Sequence, residues 1–446
     1  MKFVIRAAAF ITVVLFNNSS MAQVPNSAKE TLVPYSGPMA EGADHPTLHG
    51  TVMCGYQGWF SHEDDGIGMG NTHWGGITKN PPRCTVDLWP DLSEFSPAEK
   101  FPTTYKHVDG SMAHVFSSTV KPTVLRHFKW MRDYGIDGVW VQRFASQLDD
   151  SRRLRKVNTV LSHCREGANT YGRGFAVMYD TSFNPETCKR MEKDWRDLVD
   201  EMKILDTPAY QRHRGRPVIA LWGFGFRGFD ESACENFLRF LKSEAGGRCA
   251  ILAGVPNEWR RWENGDEKER GQYRLLKKYI DVVQPWNVGR YGDPDAAERY
   301  FKRLIPDDMK WCEKHGKDYY AVIFPGFSWT NLKKGKAPLN HIPRLGGRFL
   351  WRQAELVKEH GMDMAYIAMF DEVDEATAIF KCTNHPPVGR FATYEGYPSD
   401  HYLRISGLIG EMLRGQPAMF PETKPNPEDA RYVPLTVEAY YELPPR

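Results

Sequence analysis

What is missing from this chain narrows its chemistry. No apolar run approaches the ~20 residues that a membrane-spanning helix needs. There is no Gly-x-Ser-x-Gly turn to expose a serine nucleophile. There is no His-Glu-x-x-His to hold a catalytic zinc, and none of the eight cysteines forms a Cys-x-x-Cys pair. Gly-x-Gly-x-x-Gly does not follow the first predicted strand, which weakens a dinucleotide-binding reading. An excess of charge is also lacking, since 58 Lys and Arg face 56 Asp and Glu. A balance this even leaves no electrostatic footprint for nucleic acid or an anionic membrane.

The first residues have the parts of a secretory signal: Lys2 and Arg6, an apolar stretch from Ala7 to Phe16, and a cleavage site at Ser20-Met21-Ala22. Cleavage removes two basic residues and no acidic one, which takes the formal charge from +2 to about zero. The mature chain is therefore expected to be secreted or periplasmic. An even number of cysteines in an exported protein permits disulfides, and one to three structural bridges are expected.

From residue 51 onward, short β-branched or aromatic runs alternate with longer amphipathic ones. Strands are predicted at 51–55, 138–142, 175–179, 218–222, 250–254, 281–284, 319–324 and 365–370. Helices are predicted at 122–134, 149–166, 186–205, 230–245, 267–279, 295–315 and 348–361. Pro122, Asp230 and Asp295 sit where helices start. Eight strands alternating with helices predict a (β/α)8 TIM barrel rather than an open sheet. The expected layout is a signal peptide over 1–22, an N-terminal extension over 23–50, the barrel over 51–415 and an irregular Pro-rich tail over 416–446. Residues 56–121 make a first βα connection too long to be a bare loop, and such loops usually shape a site.

In such a barrel the site is built at the C-terminal ends of the strands. The first end delivers Gln57 and Trp59, with His73 and Trp74 in its loop. The second gives Gln142 and Arg143, the third Asp180 and the fourth Trp222. The sixth leads to Trp286, Arg290 and Tyr291, and the seventh to Trp329. Aromatic faces beside polar groups suit sugars, which present C–H faces ringed by hydroxyls. The eighth run, Ala365 to Phe370, ends in four acids: Asp371, Glu372, Asp374 and Glu375. Carboxylates beside a core are costly unless solvated or partnered. A helical turn after the strand would project Glu372 and Glu375 from one side, and paired carboxylates carry out acid/base chemistry on glycosidic bonds. A calcium loop is the competing reading, but the acids match no EF-hand pattern. Asp371 joins the expected substrate contacts. The reading needs no metal and no organic cofactor. Its partner is an oligosaccharide or polysaccharide, and a non-catalytic carbohydrate-binding protein on the same barrel is the alternative.

Four motifs carry a resemblance over roughly residues 51–415: Gly55-Tyr-Gln-Gly-Trp-Phe60, Gly135-Ile-Asp-Gly-Val-Trp140, Pro285-Trp-Asn-Val-Gly-Arg-Tyr291 and Phe370-Asp-Glu-Val-Asp-Glu375. With these the chain resembles the glycoside hydrolase family 71/99-like superfamily, whose members include endo-α-mannosidases and α-1,3-glucanases on (β/α)8 barrels. The resemblance implies a hydrolase of α-linked glycans. It also implies that Glu372 is the base assisting a sugar 2-hydroxyl and Glu375 the general acid/base. The mannosidase branch has Trp-His between the two glutamates and Gly after them. Here the pair is Val373-Asp374, followed by Ala376.

Overall fold

The computed structural model describes residues 25–430 except 227. The expected signal segment and the last part of the expected tail lie outside the described residues. Eight strands run parallel in chain order: β1 Val52–Tyr56, β2 Gly138–Phe144, β3 Gly174–Asp180, β4 Arg216–Trp222, β5 Ala250–Pro256, β6 Val282–Trp286, β7 in two segments, Asp318–Tyr319 and Ala321–Ile323, and β8 Ala365–Ile367. Each pairs with its neighbours in sequence, and β8 pairs with β1 at Val52↔Ala365. The first segment of β7 pairs with β6 and the second with β8, so the ring closes through the interruption at Tyr320. Most strand residues are buried because the barrel interior covers one face and helices cover the other.

The helices fill the connections. They are α1 Lys121–Tyr134, α2 Ser151–Tyr171, α3 Pro185–Arg196, α4 Glu231–Lys242, α5 Glu267–Tyr279, α6 Pro294–Lys314, α7 Arg348–Glu359 and α8 His401–Leu413. Their starts follow capping chemistry. Asp150, Asn184, Asp230 and Asp266 each accept backbone N–H groups of a first turn. For α6 the cap is Asp293 rather than the expected Asp295. α3 stops nine residues before the expected end at Leu205, where a π turn over Asp197–Glu201 breaks its register. α8 was not among the predicted helices. Its Asp400 makes no side-chain cap to the first turn, so the start signal is missing.

The disulfide expectation is corrected. All eight cysteines are free thiols, seven of them buried, and they pack as small apolar side chains. Burial pushes the thiols up, to about 11 at Cys84 and about 12 at Cys382. No helix among the described residues is long and apolar enough to cross a membrane.

The connection after β1 folds over the barrel mouth with two small hairpins, Gly75–Gly76 with Arg83–Cys84 and Phe101–Lys106 with Met112–Val115. Asp87 fastens it. Its carboxylate accepts from Ser328 Oγ at 2.6 Å and from the N–H groups of Thr330 and Asn331 at 2.7 and 2.8 Å, all in the β7–α7 loop. The N–H groups of Asp87 and Leu88 in turn donate to the Val373 carbonyl. The connection, the β7 loop and the segment after β8 are thereby locked into one rim.

Candidate active site

A cavity of about 470 Å³ opens at the C-terminal ends of the strands. Ten of the expected residues line it: Gln57 and Trp59 after β1, Gln142 on β2, Asp180 on β3, Trp222 on β4, Trp286 on β6 and Arg290 after it, Trp329 after β7, and Glu372 and Glu375 after β8. Strand alternation brings Gln142, Asp180, Trp222 and Trp286 to the axis, since every second side chain of a strand faces it, and the other six sit on the loops that follow the strands.

The acid-bearing segment is built as a tight turn rather than a helix. Thr377 N and Ala378 N both donate to the Glu372 carbonyl, and Met369 N donates to the Thr377 carbonyl. Ala376 takes a left-handed conformation, φ 50°, which costs a non-glycine residue on the order of 1 kcal/mol. Arg344 holds this turn. It is buried, its guanidinium donates to the Ala376 and Ala378 carbonyls at 2.8 and 2.5 Å, and it lies over the rings of Tyr394 and Tyr402 at 4.9 and 4.4 Å. The two carbonyls flank Thr377, so the arginine fixes the backbone on which Glu375 is carried.

The two glutamates differ in their surroundings. Glu372 is buried and accepts from Gln57 Nε2 at 2.8 Å and from Thr377 Oγ1 at 2.6 Å. Burial, then the charges of Glu375 and Asp374, push its carboxyl well above the usual range, while the two donors oppose the shift. Glu375 is part-exposed to the cavity, and its carboxyl accepts no hydrogen bond from the described residues. Burial and Asp374 push it to about 7, and Lys333 pulls the other way. Like charges this close favour a shared proton. The two donors on Glu372 only partly offset its burial, so both carboxyls hold a proton more tightly than usual, and Glu375 is the one open to the cavity.

Five expected contacts lie off the cavity wall. Trp74 is wholly buried and donates to the Phe116 carbonyl at 3.1 Å, so it belongs to the core of the first connection. Arg143 is one residue past the inward-facing Gln142 and therefore points outward. There it forms a buried ion pair with Asp194 and a 2.9 Å bond to Asn158. Tyr291 is buried, donating to Gln353 and accepting from Asn287, each at 3.0 Å. Asp371 faces away from the cavity and accepts from Gln57 N and Gly58 N at 2.8 and 2.9 Å. Its carboxyl is pushed by burial to about 7. His73 lies behind Trp59, ring on ring at 3.8 Å and 6°, with Nδ1 3.0 Å from Asp374 Oδ2. Phe144 stacks on Trp59 as well, at 5.5 Å. Trp59 is thus flanked by two rings instead of standing as an open platform.

Sequence reasoning missed Phe144, Phe327, His341, Met369 and Thr377, which also line the cavity. Thr377 had a signal of its own, as the first hydroxyl after the acids on a segment that had to turn back. His341 had none, since it reaches the rim through a long loop closed by the Phe327↔Ile342 bridge.

No protein-family profile and no curated protein sequence matches the chain. Among solved structures it is similar to a glycoside hydrolase family 99 endo-α-mannosidase from Bacteroides thetaiotaomicron. That match has a TM-score of 0.56 at 15% identity, over 83% of this chain and 99% of that one. A protein described as glycoside hydrolase-like matches with a TM-score of 0.54 at 12% identity, over 86% of this chain and 99% of that one. The chain therefore has a (β/α)8 barrel like that of the family 99 endo-α-mannosidase structures.

Proposed function

We propose that this protein is an exported glycoside hydrolase that cleaves α-linked glycans with Glu372 and Glu375. One observation carries the reading: two carboxyls with raised proton affinity, set on one pinned turn, face a single tryptophan-walled cavity. Paired groups in unlike surroundings are how acid and base roles are divided at neutral pH. Glu372, held by Gln57 and Thr377, is the base, taking the proton of the sugar 2-hydroxyl as that oxygen bonds to the anomeric carbon. Glu375 is the acid, protonating the leaving glycosidic oxygen as its bond to the anomeric carbon breaks. Water then displaces the 2-oxygen from the anomeric carbon and gives a proton to Glu375, while Glu372 returns its proton to the 2-oxygen.

The residues between the glutamates do not line the cavity. Val373 is buried beneath the first connection, and Asp374 is paired with His73. Their difference from the Trp-His of the mannosidase branch therefore leaves the acid pair itself in place. Trp222 and Trp286 meet edge to face at 5.6 Å, offering a corner for a sugar ring.

The test is release of new reducing ends from a panel of α-mannans and α-glucans. Turnover of at least one polymer is expected. Binding without turnover across the panel would instead support the carbohydrate-binding alternative.

A further inference from the structure

We propose that the glycan bound here carries an anionic substituent, a sulfate ester or a carboxylate, held by Arg290 and Lys333 on the β6–β7 side of the cavity. This rests on the hydrolase reading above and names the substrate class of the same site.

Some surface cations are neutralised: Arg274 sits between Glu231 and Glu267, Arg352 touches Glu298, Glu355 and Glu359, and Lys278 meets Glu235. The rim above β6 and β7 brings an unpaired cation to the cavity itself. Arg290 is exposed, lines the cavity, and forms no ion pair among the described residues. Lys333 is exposed and also forms none. Its Nζ sits 4.3 Å from the centroid of Trp329, itself a wall residue, and its charge reaches Glu375. His341 adds a third nitrogen base to the same wall. Lys334 and Lys336 follow on the same loop, again without carboxylate partners among the described residues.

β6 and β7 are neighbours in the ring, so Arg290 and Lys333 come from adjacent loops of the mouth, beside the acids that follow β8. Asp180 ends β3, on the far side of the mouth. A neutral glycan covering this rim would strip water from Arg290 and return only hydroxyl contacts. An uncompensated desolvated cation opposes binding. A sulfate or carboxylate on the sugar supplies the missing charge, and its oxygens match the planar guanidinium fork. A lysine stacked on tryptophan remains able to point a further N–H at the same anion.

The experiment measures binding to Glu375→Gln protein, which holds glycan without cleaving it. The probes are α-mannan and α-1,3-glucan fragments, each unmodified, chemically sulfated, or oxidised to carboxylates at C6. An anionic form of at least one scaffold should bind about tenfold or more tighter than its neutral parent at low salt, with the ratio falling as salt rises. The sulfated and oxidised arms tell which anion is preferred. Adding Arg290→Ala and Lys333→Ala should bring the ratio close to one, whereas Lys189→Ala, on the distant helix α3, should leave it. Neutral fragments binding as tightly as anionic ones would overturn this inference alone, as would a ratio that survives loss of both cations. Failure of every form to bind would overturn the hydrolase reading with it.

Discussion

Gln57 donates from Nε2 to Glu372 Oε1 at 2.8 Å, joining the first and last strands of the barrel at the proposed base. The same residue's N–H binds Asp371, so one glutamine spans the seam with backbone and side chain together. With Thr377 Oγ1 it gives the Glu372 carboxylate two hydrogen bonds, while the Glu375 carboxyl accepts none from the described residues.

Replacing Gln57 by leucine removes a donor that favours the ionised base. The Glu372 carboxyl should then rise further, because a buried carboxylate loses a hydrogen bond to its charged form. The acidic limb of the kcat/KM profile should move to higher pH, with kcat falling on the order of 10–100-fold. An unchanged limb in the pH–rate profile would separate Gln57 from the base.

Glu375 makes stability depend on pH in a defined direction. Its carboxyl sits at about 7 in the folded protein, against an ordinary 4.5. The folded state therefore holds the proton more tightly than the unfolded one. This contribution is fully present below pH ~4.5 and is lost as pH rises towards ~7. Glu375→Gln should be more stable than the native protein at pH 8, by on the order of 1–3 kcal/mol, and about equal to it at pH 4. Urea unfolding at the two pH values gives the comparison.

Arg344 is a positioning residue for the turn that carries Glu375. Arg344→Met strips the Ala376 carbonyl of its donor and leaves the Ala378 carbonyl only a 3.2 Å share of the Tyr394 hydroxyl, which binds the Phe380 carbonyl at 2.5 Å. The expected cost is about 2–4 kcal/mol in urea unfolding, from an unpaired buried carbonyl and lost ring contacts. In conditions where the variant stays folded, kcat should fall with little change in KM, and Arg344→Lys should recover part of it. A lowered stability with unchanged kcat would confine Arg344 to a structural role.

The barrel was legible because its signal is periodic. All eight strands lie within a few residues of the apolar runs, and α5 was bounded correctly at both ends. The strand-end rule also found ten wall residues, four at inward strand positions and six on the loops that follow. It failed one residue further on. Gln142 and Arg143 are adjacent, yet one faces the cavity and the other is buried against Asp194. A candidate site defined as everything after a strand cannot make that distinction. Trp74 was misplaced for another reason. In a Gly-rich connection with little regular structure, no period says which aromatic is core, and only the folded excursion puts Trp74 against Phe60 and Phe116. Arg344 and His341 belong to long-range contacts of the β7 loop, which no local pattern encodes.

The central claim is that Glu375 gives a proton to the leaving oxygen. It is tested most directly by comparing substrates that need that proton with substrates that do not. Glu375→Gln should lose about 10²–10⁴-fold in kcat on the α-glycan identified by the panel. It should keep most of its activity on the matching α-glycosyl fluoride, whose leaving group departs without protonation. Equal loss on both substrates, or full activity on the glycan, would contradict the assignment.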